Sequence, residues 1–179
     1  MSLRRLLSLT VLCACLMSGP GGLLPAARAQ DAALGEDRAE DAQGLRVPRF
    51  ASLGASEINV RTGPGSQYPI AWKYVRAGLP VEIIADFEYW RKIRDHDGSI
   101  GWVHKSLLSG KRFAQIEGGT RVLYDDPVLS ARPLLRLESG VVVRLERCRG
   151  DWCRATVEGR RGWLQRDGLW GVYADETLE

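Results

Sequence analysis

Glu57-Ile58-Asn59-Val60-Arg61-Thr62-Gly63-Pro64-Gly65-Ser66-Gln67-Tyr68-Pro69 is the stretch on which the fold turns. Ile58 and Val60 point one way and Asn59 and Arg61 the other, the period of two that marks a half-buried strand. The glycines and prolines that follow cannot extend that strand, so they form a long loop that carries Tyr68 and leads to Trp72. Downstream, Val81-Glu82-Ile83 follows a turn at Gly78, and Trp90 to Arg94 follows a tight connection. Asp97-Gly98 then precedes Ile100-Gly101-Trp102-Val103 as a hairpin requires. Five short strands in about 60 residues predict a small all-β barrel.

The pattern occurs twice. Arg49-Phe50-Ala51 recurs as Arg112-Phe113-Ala114 at an offset of 63, Val60 as Val122, Gly78 as Gly140 and Trp90 as Trp152 at 62, and Gly101-Trp102 as Gly162-Trp163 at 61. A period this long exceeds that of a solenoid, so each copy is a domain with its own core: 49–110 and 111–175. Domains of this size bury little surface and are marginal alone, so docking of the two copies is expected to help. Gly78 and Gly140 are expected at turns with positive φ, and Gly101 and Gly162 where a strand passes close to a neighbour. Trp102 and Trp163 are expected in the cores, whereas Trp90 and Trp152 begin a strand beside a loop.

Asn59-Val60-Arg61-x-Gly63-Pro64, Tyr68, Gly78, Val81, Trp90-x-Lys92-Ile93 and Gly101-Trp102-Val103, in that order, closely resemble the bacterial SH3 domain family across residues 49 to 110. The second copy keeps Gly140, Val143, Trp152, Gly162 and Trp163. It reads Val122-Leu123-Tyr124-Asp125-Asp126 at the position of the first motif, and it resembles a divergent SH3-like module. The tandem as a whole is similar to an exported proteobacterial SH3-like family without established activity. The resemblance implies barrels of five to six strands, an envelope location and a non-catalytic role in binding cell-wall peptidoglycan, whether its peptides or its glycans. An adaptor that binds another envelope protein, such as a cell-wall hydrolase, through a sheet edge or groove is the alternative.

The N-terminus fits export. Arg4 and Arg5 precede an apolar run from Leu6 to Met17, and Pro25-Ala26-Ala27-Arg28-Ala29 offers small residues at Ala27 and Ala29 for signal peptidase. Residues 1–29 therefore read as a signal peptide with cleavage before Gln30. The run is far short of the roughly 20 residues that span a bilayer, so no integral membrane span is expected in the mature chain. The alternative is a lipoprotein anchored at Cys15, within Leu12-Cys13-Ala14-Cys15. Residues 30–48, with five acids and hardly a large apolar side chain, read as a flexible acidic leader.

Loss of residues 1–29 removes three arginines and no acid, which takes the formal charge from +3 to zero. That balance does not call for nucleic acid. It is unevenly spread, with nine basic residues against six acidic over 49–111 and eleven against eleven over 112–179.

Cys148 and Cys153 are the only cysteines left after cleavage. They flank the turn Arg149-Gly150-Asp151 between β-rich segments, which places them opposite each other in a hairpin as a structural disulfide. The first copy has Asp86 and Arg91 at these positions, where an ion pair would contribute a few tenths of a kcal/mol.

No cofactor, metal or catalytic residue is expected. His96 and His104 stand apart from each other and from any cysteine at metal-ligand spacing, and no nucleophile elbow, phosphate loop or His-Glu-x-x-His stretch is present. The candidate ligand site is in the first module: Arg61, Tyr68, Trp72, Tyr89 and Trp90, with aromatic faces for an extended peptide or sugar and a guanidinium for a carboxylate. Asn59 is expected to brace the loop after it. The second module has Leu123 in place of Arg61 and Ser130 in place of Tyr68, and reads as a structural partner.

Overall fold

Each segment named above as a strand is one in the computed structural model, which describes residues 46–179. The expected signal peptide, its cleavage site at Ala27 and Ala29, the alternative acceptor Cys15 and the leader up to residue 45 lie outside the described residues. In the first module the strands are β1 (Arg49–Leu53), β2 (Ile58–Arg61), β3 (Ile70–Tyr74), β4 (Pro80–Phe87), β5 (Trp90–Arg94), β6 (Ile100–His104) and β7 (Leu108–Ser109). A 3-10 turn over Lys105–Leu107 precedes β7. The second module repeats the series as β8 (Phe113–Ile116), β9 (Arg121–Tyr124), β10 (Pro133–Leu137), β11 (Val142–Arg149), β12 (Trp152–Val157), β13 (Arg160–Gln165) and β14 (Leu169–Trp170).

Seven strands per module replace the five expected. They form one antiparallel sheet each, in the orders β3-β2-β6-β5-β4-β1-β7 and β10-β9-β13-β12-β11-β8-β14, which are the same order twice. Those not marked out residue by residue in the sequence are the outer strands β1, β3 and β7 with their counterparts. Two-residue β7 is too short to show a period, and β3 lies in what reads as the tail of the long loop. Each sheet wraps the alternate residues of its strands around a core: Leu53, Ile58, Val60, Ile83, Ile93 and Val103 in module 1, and Ile116, Leu123, Val143, Leu145, Ala155 and Leu164 in module 2. Full burial of such an aliphatic side chain contributes roughly 1.5–3 kcal/mol.

The two copies align differently from the sequence expectation. Arg61 pairs with Ile70 and Trp102, and Tyr124 with Pro133 and Trp163. The offset through β2 is therefore 63, so that Leu123 corresponds to Val60 and Tyr124, not Leu123, to Arg61. Likewise the amide of Tyr68 donates to the Gly65 carbonyl as that of Ala131 does to Val128, which makes Ala131, not Ser130, the counterpart of Tyr68. The glycines behave as expected. Gly78 and Gly140 have φ of 77° and 87°. A Cβ on Gly101 would lie 2.3 Å from Val60 Cγ1, and one on Gly162 would lie 2.5 Å from the Tyr124 carbonyl oxygen.

Cys148 and Cys153 form a disulfide, with Cα atoms 4.1 Å apart across the β11–β12 hairpin. In the first module Asp86 and Arg91 hold the same cross-strand register. Their ion pair is not an exposed one: Arg91 Nε lies 2.6 Å from Asp86 Oδ1, with both side chains almost wholly buried, and Arg49 donates to Oδ2 from both terminal nitrogens at 3.0 Å. Removing one partner of such a pair costs several kcal/mol, so the estimate for an exposed pair does not apply.

The modules pack on each other through aromatic rings. Phe50 of β1 meets the rings of Trp170 and Tyr173 at centroid distances of 5.0 and 4.6 Å, and Tyr173 donates its hydroxyl to buried Glu82 at 2.7 Å. Glu82 also accepts from Arg94 Nε at 2.9 Å, so its charge is compensated within the contact. The C-terminal segment that supplies Tyr173 is fastened to module 2. Buried Arg166 donates to the carbonyls of Tyr173, Ala174 and Glu176, Arg112 pairs with Glu176, and Leu178 exchanges backbone hydrogen bonds with Cys148.

Candidate functional site

Alternation along β5, β6 and β2 decides which side chains leave the core. On β5 Arg91 and Ile93 point inward and Trp90 and Lys92 outward. On β6 Gly101 and Val103 are buried while Trp102 and His104 are half-buried on the outer side. On β2 Val60 is buried and Arg61 is outward. Register then lines these up: Trp90 lies opposite His104, Lys92 opposite Trp102, and Trp102 opposite Arg61. One outer face thus carries Arg61, Trp102, Lys92, His104 and Trp90 in neighbouring positions.

The end of that face nearest the β4–β5 turn is the most aromatic. The rings of Trp90 and His104 meet edge to face at 5.5 Å, and Tyr89 stacks with His104 at 6.1 Å with 22° between the planes. Tyr89 is 59% exposed, and Lys105 Nζ sits 4.9 Å from its ring centroid. His104 is held in place because its Nδ1 lies 2.7 Å from Ser106 Oγ and accepts from the Ser106 amide at the start of the 3-10 turn. Lys92 and Lys105 have no carboxylate partner among the described residues. The face therefore offers stacking surface and positive charge together, in reach of solvent.

The five residues singled out from sequence divide. Arg61, Tyr89 and Trp90 share the outer face, and Tyr68 borders it, because Arg61 Nη1 donates to the Tyr68 carbonyl at 2.7 Å. The Tyr68 ring folds back over Gly63, where a Cβ would lie 2.4 Å from Cδ1, and it remains 40% exposed. Trp72 is not brought to that face. It lies on β3, not in the loop, opposite inward Val60, and packs on the core beside Tyr74. Asn59 does not brace the loop; its Oδ1 is buried without a hydrogen-bond partner, and the Arg61 guanidinium does the bracing.

Trp102, His104 and Lys92 are the residues that sequence reasoning missed. Trp102 and its counterpart Trp163 were expected in the cores because both copies have them. Their position immediately after buried Gly101 and Gly162 was the available signal, since alternation sends the next residue outward.

The model of the bacterial SH3 domain matches residues 54–110 and again 117–171. Similar solved structures include one of NlpC2 from Trichomonas vaginalis (12% identity, TM-score 0.34), spanning 72% of this chain and 50% of that one. Another is an NlpC/P60 family protein from Bacillus cereus (13% identity, TM-score 0.31), spanning 73% of this chain and 58% of that one. The chain thus spans little more than half the length of these proteins. No curated protein sequence matches it. With two matched copies of one pattern, folded as two sheets of identical strand order, the chain belongs to the bacterial SH3 domain family.

Proposed function

We propose that this is an exported, non-catalytic binding protein whose first module recognises cell-wall peptidoglycan at the outer face of β2, β5 and β6. The observation that carries this is the row Arg61, Trp102, His104 and Trp90, with unpaired Lys92 and Lys105 alongside. Indole and phenol faces suit an extended peptide. The cations suit the carboxylates that stem peptides carry. Trp72 has no part in the site, and Tyr68 contributes mainly by shaping the loop that Arg61 holds.

Co-sedimentation with purified sacculi tests the proposal. Wild-type protein is expected in the pellet at low salt and progressively in the supernatant as the Debye length falls from about 10 Å at 0.1 M to about 3 Å at 1 M. Arg61→Ala and Trp102→Ala should lower the pelleted fraction at unchanged melting temperature, while Arg136→Ala, an exposed arginine on β10, should not. Wild-type sedimentation of both face variants would sink the site.

A second function has its own support. Strand β3 is an edge of its sheet, with Ile70 51% and adjacent Val75 74% exposed, as strand addition by a partner protein requires. An envelope adaptor acting there would remain in the supernatant with sacculi, and a pull-down from envelope extract would lose its partner on Ile70→Lys.

A further inference from the structure

Module 2 repeats the outer face with different chemistry. Tyr124, Trp163, Arg154 and Trp152 occupy the positions of Arg61, Trp102, Lys92 and Trp90, in the same cross-strand register. All four are half-buried, and neither tryptophan belongs to the core cluster. Tyr124 and Trp152 meet edge to face at 5.9 Å, and the Arg154 guanidinium lies 5.9 Å from the Trp163 ring centroid. What differs is charge. Glu146 accepts from Thr156 Oγ1 at 2.8 Å and from Arg161 Nε at 3.1 Å, and its other oxygen lies 3.8 Å from Arg154 Nε. Arg154 and Arg161 of this face thus share one carboxylate, Arg161 at the shorter distance, whereas Lys92 of module 1 has none among the described residues.

Resting on the proposal that module 1 binds peptidoglycan, we infer that module 2 carries a second site, on Tyr124, Trp152 and Trp163, for the uncharged glycan strand of the same polymer. The sugar ring presents a face of C–H groups that packs on an indole without needing a charge. Three aromatic side chains, with the arginines beside them engaged by Glu146, favour such a ring over a carboxylate. Module 1, with free lysines, selects the reverse. Because one polymer carries both chemistries, engagement of one module raises the effective concentration of ligand at the other.

The test uses the full mature chain and a soluble oligomer of N-acetylglucosamine, which is uncharged and lacks a stem peptide. The indole N–H resonances of the six tryptophans are followed by NMR, assigned with single Trp→Phe variants. Those of Trp152 and Trp163 are expected to shift saturably while those of Trp90 and Trp102 stay. The apparent affinity should change by less than about twofold between 0.1 and 1 M salt. Trp163→Ala should weaken binding by about tenfold or more, and Arg61→Ala should leave it unchanged. Because the shifts are read in wild-type protein, a destabilised Trp163→Ala does not blunt the test. Absence of shifts at millimolar oligomer, or shifts confined to Trp90 and Trp102, would overturn the inference. The outcomes are separable from those of module 1: failure of the protein to pellet with sacculi at low salt counts against the first site, whereas the oligomer titration scores the second by itself.

Discussion

Replacing Asp86 by alanine is expected to unfold module 1 or bring it close to unfolding, because it strands buried positive charge. Arg91 is 5% exposed and places Nε 2.6 Å from the carboxylate, and Arg49 donates two hydrogen bonds to the other oxygen. Breaking a buried pair by deleting one partner costs about 3–5 kcal/mol. A module of this size has a total stability of roughly 3–9 kcal/mol at 0.05–0.15 kcal/mol per residue. At about 4–8 °C per kcal/mol, a fall of about 12 °C or more in its melting temperature follows. Circular dichroism measures the transition, and hydrogen exchange assigns it, with the amides of β4 and β5 losing protection and those of β11 and β12 keeping it. The second copy suggests the rescue. Since Asp86 and Arg91 hold the register of Cys148 and Cys153, Asp86→Cys with Arg91→Cys should oxidise to a cross-strand disulfide. That bond recovers about 2 kcal/mol by closing a short loop, and reduction should abolish the gain. Melting of Asp86→Ala within about 1 kcal/mol of wild type would refute the account of this pair as buried and interdependent.

Reduction of Cys148–Cys153, or Cys148→Ser, should lower the stability of module 2 by about 2 kcal/mol without loss of fold, measured by urea titration; mass spectrometry of unreduced peptides checks the bond itself. Phe50→Ala removes the ring that meets Trp170 and Tyr173, costs about 3 kcal/mol, and should split a single calorimetric transition into two as the modules uncouple. Burial, and then the 2.6 Å hydrogen bond from its hydroxyl to Asp95, raise the Tyr74 phenol above its ordinary value. A raised folded-state pKa favours the protonated form, so this contribution is complete below the unfolded value of about 10 and declines as pH rises past it. Ultraviolet absorbance should therefore show a late-ionising phenol that Tyr74→Phe removes, and the same variant should reduce the loss of stability at alkaline pH.

Duplication, strand type and the disulfide were legible because each rests on local pattern. Ile58 and Val60 alternate with Asn59 and Arg61, Arg-Phe-Ala recurs, and a turn separates the two cysteines. What was not legible depends on where one residue is inserted. The copies share Phe50/Phe113 at an offset of 63 and Gly101/Gly162 at 61, and nothing in the sequence says on which side of β2 the first shift falls. A slip of one residue moves every side chain to the opposite face. Placing the shift too early put Leu123 where Tyr124 stands and made module 2 look devoid of a site. The burial of Asp86 was hidden for a different reason: its partner Arg49 lies 37 residues away, and only the pairing of β1 with β4 brings the two together.

The staples and the outer faces are connected by the geometry of one strand. Arg91 and Cys153 are each the second residue of their strand and point inward; Trp90 and Trp152 are the first and point outward. Whatever holds Arg91 or Cys153 therefore also restrains the neighbouring indole, one residue away at the start of the same strand. Two chemically unrelated pairs, a buried carboxylate with two arginines and a disulfide, occupy this one register in the two modules. The common requirement is mechanical: each tryptophan must keep its orientation against the ring beside it, His104 for Trp90 and Tyr124 for Trp152. It follows that partial loosening of either staple should reach ligand binding before it reaches the fold. Reducing the disulfide in otherwise native protein should broaden the Trp152 indole resonance and weaken oligomer binding while the Trp90 resonance is unaffected. Sharp and unmoved Trp152 and Trp163 signals in the reduced protein would show instead that the face is held by the sheet alone.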